Sequence, residues 1–189
     1  MFPCELNNRH TLRLICPDDA VELFALTDTN REYLRQWLPW LDRTQSVDDT
    51  KKFIDFVLSQ QAAQQSLILL ILYDGAIAGI IGHNKIDRLN RIGYIGYWLG
   101  AAYQGKGLMT ASCRALIEYS FTALNLNRII IACATHNHQS RAIPERLGFI
   151  HEKTIQNAEW LYDRFVDHEI YTLRQKPNSQ ELDFWLNQS

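Results

Sequence analysis

Tyr97-Trp98-Leu99-Gly100-Ala101-Ala102-Tyr103-Gln104-Gly105-Lys106-Gly107-Leu108-Met109-Thr110 runs from an apolar, strand-like segment, through a glycine turn carrying a lysine, into a helix-forming segment. Successive backbone N–H groups in such a turn, together with the first turn of the following helix, make a concave site for anions such as phosphates. Gly105 and Gly107 let the backbone approach a ligand closely because no Cβ intervenes. Lys106 adds a positive charge. A plain strand-to-helix turn is the alternative reading of this stretch taken alone.

Two familiar phosphate loops do not fit it. A Walker loop requires G-x-x-x-x-G-K-[ST], whereas here the lysine lies between the glycines and Leu108 follows them. A dinucleotide fingerprint requires G-x-G-x-x-G, and Thr110 occupies the third glycine position. Upstream of the turn, Thr11–Ile15 reads as a first strand, and Asp18 and Asp19 open a helix to about Asp28. Asn30 is placed to cap a further short helix that Pro39 ends. Val47–Gln64 carries Ile54, Val57 and Leu58 at helical spacing, and Asp74-Gly75 joins strands Leu67–Tyr73 and Ile77–Ile86 as a hairpin. Arg91–Leu99 is a third central strand, and Leu108–Leu124 is a buried helix. Downstream come strand Arg128–Ala134, short helix His138–Leu147, and closing strands Phe149–Gln156 and Phe165–Arg174. Hairpins on both sides of one helical crossover imply an α+β domain with a mixed sheet rather than a doubly wound one.

The chain has 189 residues, 47% of them hydrophobic, enough for one domain (1–176) with a buried core, followed by a polar tail (177–189). A formal net charge of −2 gives no global attraction to nucleic acid or anionic lipid, so neither is expected as a partner. Cys4, Cys16, Cys113 and Cys133 form no C-x-x-C pair and lack metal-site spacing, as expected of reduced thiols in the cytoplasm. The Met1–Arg9 segment has no signal-peptide core, and Leu67–Tyr73 is too short to span a bilayer. His136 and His138 flank Asn137, but rings two residues apart at a helix start diverge, and no metal is expected.

A second motif follows the strand at Arg128–Ala134: Asn137-His138-Gln139-Ser140-Arg141-Ala142-Ile143-Pro144-Glu145-Arg146-Leu147-Gly148-Phe149. In order along the chain, Q-G-x-G-x-x-T, a strand, and N-x-x-S…G-F resemble the GNAT superfamily of N-acetyltransferases over roughly His10 to Arg174. Leu34-Arg35-Gln36-Trp37-Leu38-Pro39-Trp40, Tyr94–Leu99 and Ala158-Glu159-Trp160 resemble its RimL-like ribosomal-protein N-terminal acetyltransferases. The resemblance implies a GNAT-like fold: a central twisted mixed sheet of about six to seven strands with helices on both faces.

It also implies acetyl-CoA as co-substrate, its pyrophosphate gripped by Gln104, Gly105, Lys106, Gly107, Leu108, Met109 and Thr110. Met109 stands where the superfamily usually has Gly or Ala. Trp98 and Leu99 match the end of the splayed strand whose backbone bonds pantetheine and the acetyl oxygen, and Asn137 matches the asparagine that touches the pantetheine arm. Preorganised N–H donors of that kind contribute roughly 3–4 kcal/mol. Many members place a tyrosine, the acid that protonates the departing thiolate, where this chain has Pro144. Proline has no proton to give, and it also removes the helical hydrogen bond to the Ser140 carbonyl, which should distort the helix. Ser140, one turn earlier on the same face, supplies a hydroxyl, and RimL-like enzymes resemble this arrangement with serine as the acid. By the same likeness Glu159 is the general base, with His83 or a water as alternatives.

The leading expectation is acetyl transfer to a primary amine, above all the N-terminal amine of a ribosomal protein. A polyamine or aminoglycoside acceptor, or a CoA-binding sensor without turnover, are the alternatives. Trp37 and Trp40, on either side of Pro39, belong to the variable substrate-side region, where one of them is expected to wall the acceptor cleft. The likeness further implies a homodimer.

Overall fold

The computed structural model describes residues 2–175, so the tail assigned to 177–189 lies outside the described residues. The strands are β1 (Cys4–Asn7), β2 (His10–Leu14), β3 (Leu67–Tyr73), β4 (Ala76–Asp87), β5 (Ile92–Leu99), β6 (Arg128–Ala134), β7 (Ile150–Leu161) and β8 (Arg164–Arg174). They form one sheet in the order β1-β2-β3-β4-β5-β6-β8-β7. The helices are α1 (Ala20–Thr29), α2 (Arg31–Arg35), α3 (Val47–Ala62), α4 (Leu108–Thr122) and α5 (His138–Arg146). Every strand pair is antiparallel except β5 and β6, joined through α4. A parallel pair requires such a crossover.

The sheet is buried on both faces over its centre. Leu69 and Ile71 of β3 pack with Ile81, Ile95, Leu116 and Met109 beneath α4, while Ile68 and Leu70 pack with Leu23, Ile54 and Val57 beneath α1 and α3. Burial on both faces explains why β3 reads as an unbroken apolar run instead of alternating. Asp74 and Gly75 both take positive φ (52° and 82°), the backbone that a tight two-residue hairpin demands.

Three expectations are corrected. Among the described residues the sheet has eight strands rather than six to seven, because Cys4–Asn7 pairs with β2 as an edge strand; its apolar–polar alternation spans only four residues, too few to mark a strand on its own. Asn30 makes no side-chain cap for α2; its carboxamide instead donates to the Leu26 carbonyl and accepts from Ala101 N–H (both 2.8 Å), tying α1 to the end of β5. The strand expected to end at Gln156 runs on to Leu161, so Glu159 sits on β7 instead of in a connecting segment.

His83 is fully buried, and its Nε2 lies 2.7 Å from Ser120 Oγ of α4 while its Nδ1 has no partner. Burial pushes its pKa down to about 4, against about 6.5 for a histidine in the unfolded chain. Below pH 6.5 the unfolded chain therefore binds a proton that the folded protein refuses until about pH 4, so stability falls as pH drops through that window. The expected loss is about 3 kcal/mol by pH 4. Urea unfolding at pH 7.5, 6 and 5, compared with His83→Gln, checks this: the variant should flatten the slope. A histidine so placed lies away from both cavities described below, and this removes it as the alternative base.

Candidate active site

The register between β5 and β6 ends at the Ile95–Ile131 pair. Beyond it β5 stays paired with β4 to Leu99, and β6 stays paired with β8 to Ala134, so the two parallel strands part. One edge of Gly96–Leu99 is left without a strand partner, and backbone N–H and C=O groups there are free to bond a ligand.

A cavity of about 1030 Å³ opens from this gap along the N-terminus of α4. Trp98, Leu99, Gln104, Gly105, Gly107, Leu108, Met109, Thr110, Asn137 and Ser140 all line it. Gly105 and Gly107 have φ of +71° and +74°, which side chains rarely adopt, and no protein atom lies within 4 Å of where a Cβ would stand at either. The first N–H groups of α4 have no intrahelical acceptor, and Leu108, Met109 and Thr110 of its first turn line this space. Lys106 is the exception among the expected residues: it does not line the cavity, and its ammonium lies 5.9 Å over the Tyr73 ring. The side chains of Arg114 and Arg146 line the cavity instead, and Arg146 Nη1 donates to Thr110 Oγ1 at 2.8 Å. No motif marks these arginines, because each is an exposed helix cation until the fold brings it to the turn.

Gly107→Ala should raise the acetyl-CoA dissociation constant about tenfold, since a methyl in left-handed backbone costs roughly 1–2 kcal/mol and also intrudes on the anion site. Titration calorimetry measures it. Unchanged affinity would remove the turn as the cradle.

A second cavity, about 840 Å³, meets the first at Trp37, Leu38, Tyr97, Trp98 and Ser140. Its walls include Trp40, Phe53, Phe56, Asn84, Glu159 and His168. Trp37 thus faces both spaces, and Trp40 the second only. The β7–β8 hairpin closes one side: Tyr162 donates its hydroxyl to the Leu38 carbonyl (2.6 Å), and the Arg35 guanidinium stacks 3.7 Å over the Tyr162 ring.

Ser140 sits in the first turn of α5, where its N–H donates to the Asn137 Oδ1 cap (3.0 Å). Its Oγ lies 3.3 Å from Cys133 Sγ and 3.4 Å from the Tyr97 hydroxyl. The helix assignment runs on through Pro144 without a break. The carbonyl that proline leaves unbonded receives the Tyr97 hydroxyl at 2.9 Å. Burial holds the Tyr97 phenol well above its ordinary range and also raises the Cys133 thiol, so both keep their protons.

Glu159 reaches the second cavity because β7 bulges, taking four steps from Ile155 to Glu159 against two from His168 to Val166 on β8. Its Oε2 lies 3.5 Å from His168 Nε2. His168 is a further titratable group of the site; its position in a strand of mixed polarity gave no local signal.

The profile of the family described as "Acetyltransferase (GNAT) domain" matches residues 9–150. The chain belongs to the GNAT acetyltransferases. It is 38% identical to a putative ribosomal N-acetyltransferase, YdaF, of Bacillus subtilis, over 90% of this chain and 92% of that protein. It is 31% identical to the ribosomal-protein-serine acetyltransferase of Escherichia coli, over 85% and 89%. Among solved structures, RimL, the ribosomal L7/L12 alpha-N-protein acetyltransferase, in complex with coenzyme A, superposes with TM-score 0.89 at 26% identity, over 92% of this chain and 98% of that one. The microcin C7 self-immunity acetyltransferase MccE, with acetyl-CoA and AMP, gives 0.87 at 33% identity, over 90% and 94%. This GNAT enzyme is therefore an acetyl-CoA-dependent N-acetyltransferase. Among the described residues, no helix is long and apolar enough to cross a membrane.

Proposed function

We propose that the enzyme acetylates the N-terminal amine of a ribosomal protein, with Glu159 as general base and Ser140 as general acid. One observation carries the reading: Ser140 stands where the two cavities meet, and Glu159 lines the second. Acetyl-CoA supplies an activated thioester. The unpaired edge of β5 at Trp98 and Leu99 orients its acyl end, and the α4 turn and Asn137 hold its arm. Glu159 Oε2 takes a proton from the incoming amine, directly or through water, and Ser140 Oγ gives one to the departing sulfur. In the complex of RimL named above, coenzyme A is joined to a cysteine by a disulfide. Cys133, 3.3 Å from Ser140 Oγ, places a thiol of this chain beside the expected sulfur position.

The acceptor cavity disfavours a polycation. Of its two carboxylates, Asp49 is engaged by Ser46, the Gln45 N–H and Lys52, leaving Glu159 alone, while Arg43 and Lys52 also line the space. An apolar, aromatic cleft with one base suits a chain terminus that brings a single amine. The reading extends to a cytoplasmic, single-domain enzyme (1–176) that forms a homodimer and needs no nucleic acid, the dimer resting on family likeness. Mass spectrometry of purified ribosomal proteins incubated with enzyme and acetyl-CoA tests it. An acetylated N-terminal peptide on one of them supports the reading; turnover confined to polyamines or aminoglycosides overturns it.

A further inference from the structure

The Ser140 carbonyl presents an unusual bond. In a regular helix it would accept the N–H of residue 144, but Pro144 has none. A carbonyl sheltered from water and left without a donor is destabilising. The donor comes from outside the helix: Tyr97, on the free stretch of β5, gives its hydroxyl at 2.9 Å. The same oxygen lies 3.4 Å from Ser140 Oγ, so one phenol touches both the backbone and the side chain of the serine.

We propose that Tyr97 is the positioning residue of Ser140, its hydroxyl standing in for the amide that Pro144 lacks and thereby fixing the serine hydroxyl at the junction of the two cavities. This rests on the acid role of Ser140 proposed above and goes beyond it. The proline removes the family's usual tyrosine acid from the helix and leaves a vacant acceptor one turn back. A phenol from the neighbouring strand fills that vacancy without itself losing a proton. Tyr97 lies two residues beyond the last β5–β6 pair, Ile95–Ile131, where the two strands part.

The test is a double-mutant cycle on the full chain. Tyr97→Phe keeps the ring that lines the coenzyme cavity and removes only the donor, so kcat should fall roughly five- to tenfold while acetyl-CoA affinity holds. Pro144→Ala restores an N–H at position 144. In that background Tyr97→Phe should cost far less, both in kcat and in the urea midpoint of unfolding. A purely packing role for Tyr97 would leave its cost the same in both backgrounds, and that result overturns the proposal. Coupling in stability without coupling in kcat also overturns it, since the bond would then exist without serving the serine. Failure of the Ser140 reading is distinguishable: Ser140→Ala alone would then turn over at the wild-type rate. If Ser140 is the acid, Tyr97→Phe should add no further loss to Ser140→Ala.

Discussion

Glu159→Gln lowers kcat/KM for the amine acceptor about 100- to 1,000-fold, the range expected when a positioned general base is removed. Gln keeps the size and hydrogen-bonding reach of the side chain, so the cavity and the β7 bulge are preserved and only proton acceptance is lost. A thiol-release assay at saturating acetyl-CoA with varied amine acceptor reads the loss. The neighbouring imidazole gives the experiment a second arm. His168 Nε2 lies 3.5 Å from Glu159 Oε2, so a variant that keeps the wild-type kcat/KM identifies His168 or water as the base. His168→Gln separates those two. His83 needs no such control, since its ring is sealed against Ser120 and Gly93 under α4.

Ser140→Ala should lower kcat about 100-fold and leave the acetyl-CoA dissociation constant unchanged. The asymmetry follows from the site. Asn137 caps α5 through the Ser140 N–H, not its hydroxyl, so alanine keeps the helix and the coenzyme wall intact. What disappears is the proton offered to the leaving sulfur. The nearest substitute donor is the Cys133 thiol, 3.3 Å from the lost oxygen and kept protonated by burial. Ser140→Ala with Cys133→Ala should therefore fall below Ser140→Ala alone. Single-turnover measurements that separate acyl transfer from product release decide whether the loss lies in chemistry. An unchanged single-turnover rate removes Ser140 as the acid.

Local signals carried the elements of this fold whose reasons are local. The period of α3, the positive-φ hairpin at Asp74-Gly75, and the apolar run of β3 each follow from neighbours in sequence. The glycines of the α4 turn are of the same kind, because left-handed backbone beside a ligand admits little else. Asn137, singled out by likeness, caps α5 and lines the first cavity.

Other features had no local cause to read. β1 is an edge strand made by pairing with β2, and the length of β7 is set by β8 across a bulge. Lys106, the most visible charge of the motif, turns towards Tyr73, while Arg114 and Arg146 reach the cavity from separate helices. The chain's own residue types therefore determined that a glycine turn with left-handed backbone precedes a central helix, and that proline stands at position 144 of α5. The tertiary structure alone decided which charges face that turn, that His83 is buried away from the cleft with His168 in it beside Glu159, and that Tyr97 answers the bond Pro144 cannot make. The physical reason is that a turn's backbone angles depend on adjacent residues, whereas a hydrogen-bond partner 43 positions away is supplied by the parting of two strands.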